Sequence, residues 1–247
     1  SYRVTATFMV PDTDGKTVEM KAELARRIKT KKEAQQFLEA CKSASFKIED
    51  IVTRPTKKSP AAPFTTSTLQ QEAARKLGFT VAQTMMIAQK LYESGKITYM
   101  RTDSVNLSEF AIAGSKEAIA NMMGDKYIKT RQYATKTKGA QEAHEAIRPT
   151  SMNDQVVDGT AQEKKLYDLI WKRTIASQMT DAELEKTTAT ISISGVSDNF
   201  VANGEVIKFD GFLRVYRESY DDDSEKQEDE GRLLPPLKKG QVLEAQD

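Results

Sequence analysis

One cysteine (Cys41), one histidine (His144) and one tryptophan (Trp171) are all that 247 residues contain of those types. A single cysteine excludes an internal disulfide framework and every zinc site built on clustered cysteines, and a single histidine excludes a His-rich metal centre. A reducing compartment fits this usage. No apolar run approaches the ~20 residues that a membrane-spanning helix needs, and no secretory signal pattern is found. Charge of one sign is also missing: 37 lysines and arginines face 36 aspartates and glutamates, for a net charge of +1. That balance excludes a globally basic, histone-like protein and a globally acidic, solvating one, so any nucleic-acid surface has to be local. Eight of the acids lie between Glu218 and Glu230 with Lys226 as the only base, which leaves +8 on the other 234 residues. The stretch 218–230 is expected to be a solvated loop. The chain starts at Ser1 without a methionine and is expected to be a piece of a longer protein.

The residues that are present arrange themselves in three blocks. Tyr2, Val4, Phe8 and Val10, then Val18, Met20, Ala22 and Leu24, alternate on either side of Asp12-Thr13-Asp14-Gly15, the pattern of a β-hairpin. Asp-x-Asp-Gly also opens calcium loops, but the later ligands and the closing Glu are missing. Thr30 with Glu33 has capping-box spacing ahead of Ala34, Phe37, Leu38 and Cys41, which predicts a helix, and Phe46 to Thr53 predicts a strand. Arg54 to Pro63 holds three prolines, which deny the backbone helix and central-strand geometry and suggest a boundary near residue 60. From Ser67 to Met179 the spacing turns helical, with caps expected at Ser67, Thr80, Asn106 and Thr160 and helices near 67–77, 81–94, 107–123 and 161–179. The first two, joined by Gly78-Phe79-Thr80 and followed by an extended run from Ile97 to Met100, resemble a helix-turn-helix with a wing. Alternation returns at 188–194 and 200–209, with a last strand near Leu243. The expected fold class is α+β: a helical domain over 61–183 inserted in a β domain made of 1–60 and 184–247.

Gly95-Lys96-Ile97-Thr98-Tyr99-Met100-Arg101-Thr102-Asp103-Ser104 is the most informative segment. If it is extended, the period of two puts Tyr99, Arg101 and Asp103 on one face. A phenol with a pKa of about 10 becomes a phosphoryl-attacking nucleophile when a neighbouring cation favours its phenolate, and a guanidinium fork can hold two phosphate oxygens. The same three residues also fit a core tyrosine beside a surface Arg–Asp pair. Lys126 to Lys138 carries five bases and two tyrosines, a composition that suits either a single-strand contact or a solvated loop.

This segment resembles the active-site tyrosine motif of the type IA DNA topoisomerases, and two more runs resemble the same family in the same order. They are Ala62-Pro63-Phe64-Thr65-Thr66-Ser67-Thr68-Leu69-Gln70-Gln71 and Gln141-Glu142-Ala143-His144-Glu145-Ala146-Ile147-Arg148-Pro149-Thr150. The resemblance is strong from Pro63 to Met179 and weaker at both ends. It implies that Tyr99 attacks a phosphorus of single-stranded DNA to give a 5′-phosphotyrosine and that Arg101 steadies the scissile phosphate. His144 matches a family histidine near the scissile region, and Lys96, Asp103 and Arg148 join it as candidate DNA contacts, although Glu145 and Arg148 also suit a structural pair. Religation would need no ATP, in line with the absence of a Walker loop. The resemblance further implies that the β halves form the arch of an opening ring, that Mg²⁺ is bound in the full-length enzyme by a toprim domain not found in this sequence, and that the protein works on negatively supercoiled DNA in the bacterial cytoplasm, at the nucleoid. Asp221-Asp222-Asp223-Ser224-Glu225 comes near a toprim spacing, but its surroundings suggest a loop. The competing reading is a non-catalytic helix-turn-helix-like DNA-binding module, disfavoured because the second helix offers only Gln83, Gln89 and Lys90 as polar readers.

Overall fold

In the structure, a computed structural model that describes residues 1–134, 144–217 and 234–246, helices and strands segregate into two compact units. Among the described residues, one comprises Ser1–Thr56, Leu184–Lys208 and 234–246; the other comprises Lys57–Glu183 and 209–217. The acidic stretch 218–230, the near-toprim run Asp221 to Glu225, and Gln141-Glu142-Ala143 lie outside the described residues.

In the first unit, β1 (Thr5–Pro11) and β2 (Thr17–Leu24) pair antiparallel from Thr5↔Glu23 to Pro11↔Thr17. Asp12 closes their turn by accepting from the amides of Asp14 and Lys16 at 2.9 Å each, while Gly15 takes φ = 81°, a conformation that glycine adopts without a Cβ clash. One acceptor, Asp12 Oδ1, takes both bonds and so serves the hairpin. The helix α1 (Lys31–Lys42), capped by Thr30, follows, then β3 (Phe46–Lys58). With β4 (Ala182–Ile193), β5 (Val196–Phe209) and β6 (Val242–Ala245) the sheet closes into a barrel in the order β1-β2-β5-β4-β3-β6. The alternation seen in the sequence is the inside–outside alternation of this barrel. Phe8, Phe37, Phe46 and Phe200 point inward and meet edge-on or tilted, with ring centroids 5.2–6.2 Å apart, the geometry aromatic quadrupoles favour.

One expectation fails in β3, which runs through Pro55 to Lys58. β6 pairs with β3 at Phe46 and Lys47, and Ile48 adds backbone bonds to Gly240 and Gln241. Among the described residues this pairing stops well short of Pro55, and a strand tolerates a residue without an N–H where that side has no ladder bond to lose.

The second unit packs α2 (Thr66–Leu77), α3 (Val81–Glu93), α4 (Glu109–Met122) and α5 (Ala161–Ser177) around Phe64, Leu69, Leu91, Ile119, Tyr167 and Trp171. Trp171 is 2% exposed and donates to the Met152 carbonyl at 2.9 Å, so its one polar atom is satisfied. Thr80 and Thr160 cap as expected. Two other caps fall elsewhere: Thr65, not Ser67, caps α2 in a reciprocal box with Thr68, and Ser108, not Asn106, caps α4. Gly78, at φ = 68°, ends α2 and turns the chain into α3, but no wing follows; Ile97 makes a single bridge to Pro149 instead of joining a strand. Phe212 and Tyr216 are buried in this helical core, which takes residues 209–217 out of the β part where the sequence boundary at 184 put them.

Candidate active site

Three segments remote in sequence are laced together by backbone and hydroxyl hydrogen bonds. Phe64 bridges Ile147, whose amide donates to the Phe64 carbonyl at 2.9 Å. The Thr98 amide donates to the Arg148 carbonyl at 2.9 Å, and the Thr98 hydroxyl accepts from the Arg148 amide at 2.9 Å and donates to the Ala146 carbonyl at 2.7 Å. Thr150 closes the same seam by donating through its hydroxyl to the Gly95 carbonyl at 2.7 Å. Thr66, the first residue of α2, grips the other side: its Oγ1 donates to the Met100 carbonyl at 2.7 Å and accepts from the Thr102 amide at 2.9 Å, and its amide donates to the Thr102 carbonyl. Each grip replaces the ladder bonds that a regular strand would have supplied to residues 97–102.

The result keeps the predicted alternation without a strand. Ile97 and Met100 are buried, whereas Tyr99, Arg101 and Asp103 are exposed. Tyr99 is 46% exposed, and its ring meets that of Tyr92 on α3 edge-on, 5.2 Å between centroids at 64°. Arg101, Thr102 and Asp103 line a cavity of about 440 Å³ with Thr65, Thr66, Ser67 and His144. Tyr99 is not among the lining residues, so the cavity and the phenol are neighbours along one segment, not one pocket. His144 is exposed and held by its backbone, its carbonyl accepting from the Ser104 hydroxyl at 2.7 Å.

The structure therefore gathers Arg101, Asp103 and His144 and leaves two expected DNA contacts elsewhere. Arg148 is buried at 8% exposure, its Nε held by the Glu145 carboxylate and its Nη1 donating to the Pro149 carbonyl at 2.8 Å, so it is the structural half of a pair. Burial pushes the Glu145 carboxyl up, but hydrogen bonds from Arg148 and Ser108 and the Arg148 charge outweigh it and hold the carboxyl below its ordinary range. The Lys96 ammonium donates to the Asp158 carbonyl, which ties down the loop ahead of α5. The basic, tyrosine-bearing stretch also turns inward over its described part. Tyr127 is buried with its hydroxyl on Asp210 at 2.8 Å, Tyr133 donates to the Pro60 carbonyl at 2.9 Å, and Arg131 pairs with Asp181 at 2.6 Å. Neither tyrosine is left as a stacking platform; residues 135–138 lie outside the described residues.

Sequence reasoning missed Thr65, Thr66 and Ser67 as cavity residues. A displaced cap was the available signal: Thr65 and Thr68 have the same spacing as Ser67 and Gln70, and choosing the earlier pair puts the positive end of α2 at the cavity.

A family model described as DNA topoisomerase matches residues 1–247. The chain belongs to the bacterial type IA DNA topoisomerase family. Relatives named DNA topoisomerase 1 include one from Rickettsia bellii, 46% identical over 232 residues that cover 87% of this chain and 28% of that protein, and one from Zymomonas mobilis, 48% identical over 214 residues that cover 85% and 17%. The solved full-length topoisomerase I from Thermotoga maritima is similar in fold, with a TM-score of 0.72 at 30% identity, covering 99% of this chain and 40% of that one. The chain thus spans less than a third of the curated topoisomerases it matches. Among the described residues, no three His, Cys, Asp or Glu side chains come together as metal ligands, so the Mg²⁺ implied by the topoisomerase resemblance does not fit the groups described in this chain. No described helix is long and apolar enough to cross a membrane.

Proposed function

We propose that this chain carries the nucleophile of a type IA topoisomerase, with Tyr99 as the attacking group. In that reading the Tyr99 oxygen bonds to a phosphorus of single-stranded DNA while the phosphorus–O3′ bond breaks, the phenolic proton leaves and the freed 3′-oxygen gains one. A diester is exchanged for a diester, so the 3′-hydroxyl can reverse the step without ATP. The observation that supports it best is the cavity beside Tyr99: the Arg101 guanidinium, the His144 imidazole, the Thr65 and Ser67 hydroxyls and the positive end of α2 make a donor set suited to a phosphodiester. Arg101 steadies the phosphate as its charge develops, and Asp103 stands at the same cavity. In a longer protein the chain would help relax negatively supercoiled DNA in the bacterial cytoplasm, at the nucleoid, with any Mg²⁺ held by residues other than those described. The helices would then be an insertion in a β arch that opens to pass a strand.

The test is covalent trapping. A protein that contains this chain within the full length of its relatives, incubated with an end-labelled oligonucleotide and Mg²⁺, should yield a labelled adduct. Tyr99→Phe should abolish it and change noncovalent single-strand binding by no more than a few fold, since the ring volume stays and only the oxygen is lost. A labelled adduct that persists in the Phe variant removes Tyr99 from the chemistry.

A further inference from the structure

Arg26-Arg27-Ile28-Lys29-Thr30-Lys31-Lys32 holds five bases in seven residues, with no acid, in a chain whose overall charge is nearly balanced. The segment links β2 to α1 on the barrel unit, far along the chain from the tyrosine motif. Its backbone is fixed at three points. The Ala25 amide donates to the Asn199 carbonyl at 3.0 Å; Ile28, fully buried, exchanges both backbone bonds with Tyr2; and Thr30 caps α1. Arg26 is used in the fold, gripping Asp198 with two bonds of 2.7 and 3.0 Å. Arg27, Lys29, Lys31 and Lys32 are different. All four are exposed, and none has a hydrogen-bond or ion-pair partner among the described residues.

Two of these charges oppose the fold they sit in. Lys31 and Lys32 are the first two residues of α1, where the helix dipole is positive and acids are favoured; Glu33 is the only acid in that turn. A rigid surface strip whose charges repel one another and the helix end is consistent with selection for an external anion and not for stability. The spacing suits a regular polyanion. Arg27 and Lys29 flank buried Ile28 on an extended segment, about 6.6 Å apart along the backbone at ~3.3 Å per residue. That is of the order of the phosphate repeat of a DNA strand, which carries one charge per about 3.4 Å of duplex axis. Tyr2, paired with Ile28 and 44% exposed, adds an aromatic face to the strip.

We propose that Arg27, Lys29, Lys31 and Lys32 form a second DNA contact, on the barrel unit, that grips the phosphate backbone without reading sequence. The inference rests on DNA being the substrate of this family member. The strip contributes affinity through counterion release and holds a strand at a place where no covalent chemistry occurs.

The experiment measures binding of the full chain to a fluorescent 20-nucleotide oligo(dT) by anisotropy between 50 and 200 mM salt. Four single-strand phosphate contacts contribute a slope of about 0.7 each in log affinity against log salt, so the combined Arg27→Gln, Lys29→Gln, Lys31→Gln, Lys32→Gln variant should lose up to about 3 units of slope. Across the fourfold salt range the parent should lose roughly 50-fold more affinity than the variant. A second variant, Lys31→Glu with Lys32→Glu, puts acids where α1 favours them. It should melt at the same temperature as the parent or higher, and bind the oligonucleotide more weakly. A parent that binds while both variants keep its affinity and slope overturns the strip and leaves the tyrosine reading intact. A parent that shows no binding at 50 mM salt overturns the strip together with DNA binding by this chain.

Discussion

Thr66→Val is the sharpest probe of how the tyrosine segment is held. Valine matches threonine in shape, so the change removes one hydroxyl and little else. That hydroxyl donates to the Met100 carbonyl at 2.7 Å and to the Thr102 carbonyl at 3.1 Å, and accepts from the Thr102 amide at 2.9 Å. The Thr102 carbonyl keeps the Thr66 amide at 2.9 Å, so the groups stranded by the substitution are the Met100 carbonyl and the Thr102 amide. Leaving a buried polar group unsatisfied costs about 1–3 kcal/mol. Thr66 is only half-buried and water reaches part of the gap, so the lower end applies to each group, for a total of about 2 kcal/mol. Helix propensity adds almost nothing, because Thr and Val rank together. At about 2–4 °C per kcal/mol for a chain of this size, the melting temperature should fall by about 4–8 °C. Thr66→Ser keeps the hydroxyl and should recover most of the loss. The assay is thermal unfolding followed by circular dichroism, with oligonucleotide cleavage by the longer protein as a second readout. Cleavage should drop in the Val variant even at temperatures where it is fully folded, because Met100 and Thr102 bracket Arg101 and follow Tyr99. If Thr66→Val melts within a degree of the parent and cleaves normally, the hydroxyl clamp does not position the segment.

Arg101→Lys conserves charge but replaces a planar two-donor fork with a point charge, so cleavage by the longer protein should fall by about 10²–10³, as when a transition-state donor is lost; a wild-type rate would mean that position 101 supplies only positive potential. The acid limb of stability should depend on Glu145 and Asp181. Burial raises the Asp181 carboxyl, but hydrogen bonds from Arg131 and Ser59 and the charges of Arg131 and Lys129 bring it below its ordinary range, as Arg148 and Ser108 do for Glu145. A lowered folded pKa means that the stabilisation is complete above the unfolded values of about 4 and is lost as pH falls through the folded ones. Glu145→Gln with Asp181→Asn should therefore destabilise the chain at pH 7 far more than at pH 2, and denaturant titrations that give the same loss at both values would refute this.

Legibility followed the range of the interactions. Capping and alternation act over two to four residues, and the hairpin, the barrel strands and the helices over 81–93 and 161–177 were visible for that reason. The α2 cap was misplaced by two residues because Thr65 and Ser67 both offer a hydroxyl three residues ahead of a polar side chain. Pro55 suggested a break because sequence does not disclose how short β6 is. Long-range partners were invisible: nothing local marks Thr66 as the clamp on residues 34 and 36 positions away, or directs Lys96 to the Asp158 carbonyl. That Tyr99, Arg101 and Asp103 share one face followed from alternation, whereas the exposure of Tyr99 and the gathering of Arg101 and Asp103 with Thr65 and His144 needed the seam between segments.

That seam also sets a schedule. Residues 64–66, 97–102 and 146–150 complete one another's hydrogen bonds, so no two of them make the arrangement without the third. During synthesis at about 5–20 residues per second, some 50 residues must follow Tyr99 before Thr150 emerges, a wait of roughly 3–10 s. Loop-closure entropy then has to be overcome across both gaps before any bond in the seam repays it, which favours a late, all-or-none closure. A nascent chain therefore carries its phenol on an unassembled segment, and the group acquires a defined setting only once the surrounding core is complete. Chains truncated before residue 146 should form no covalent adduct with DNA however long they persist.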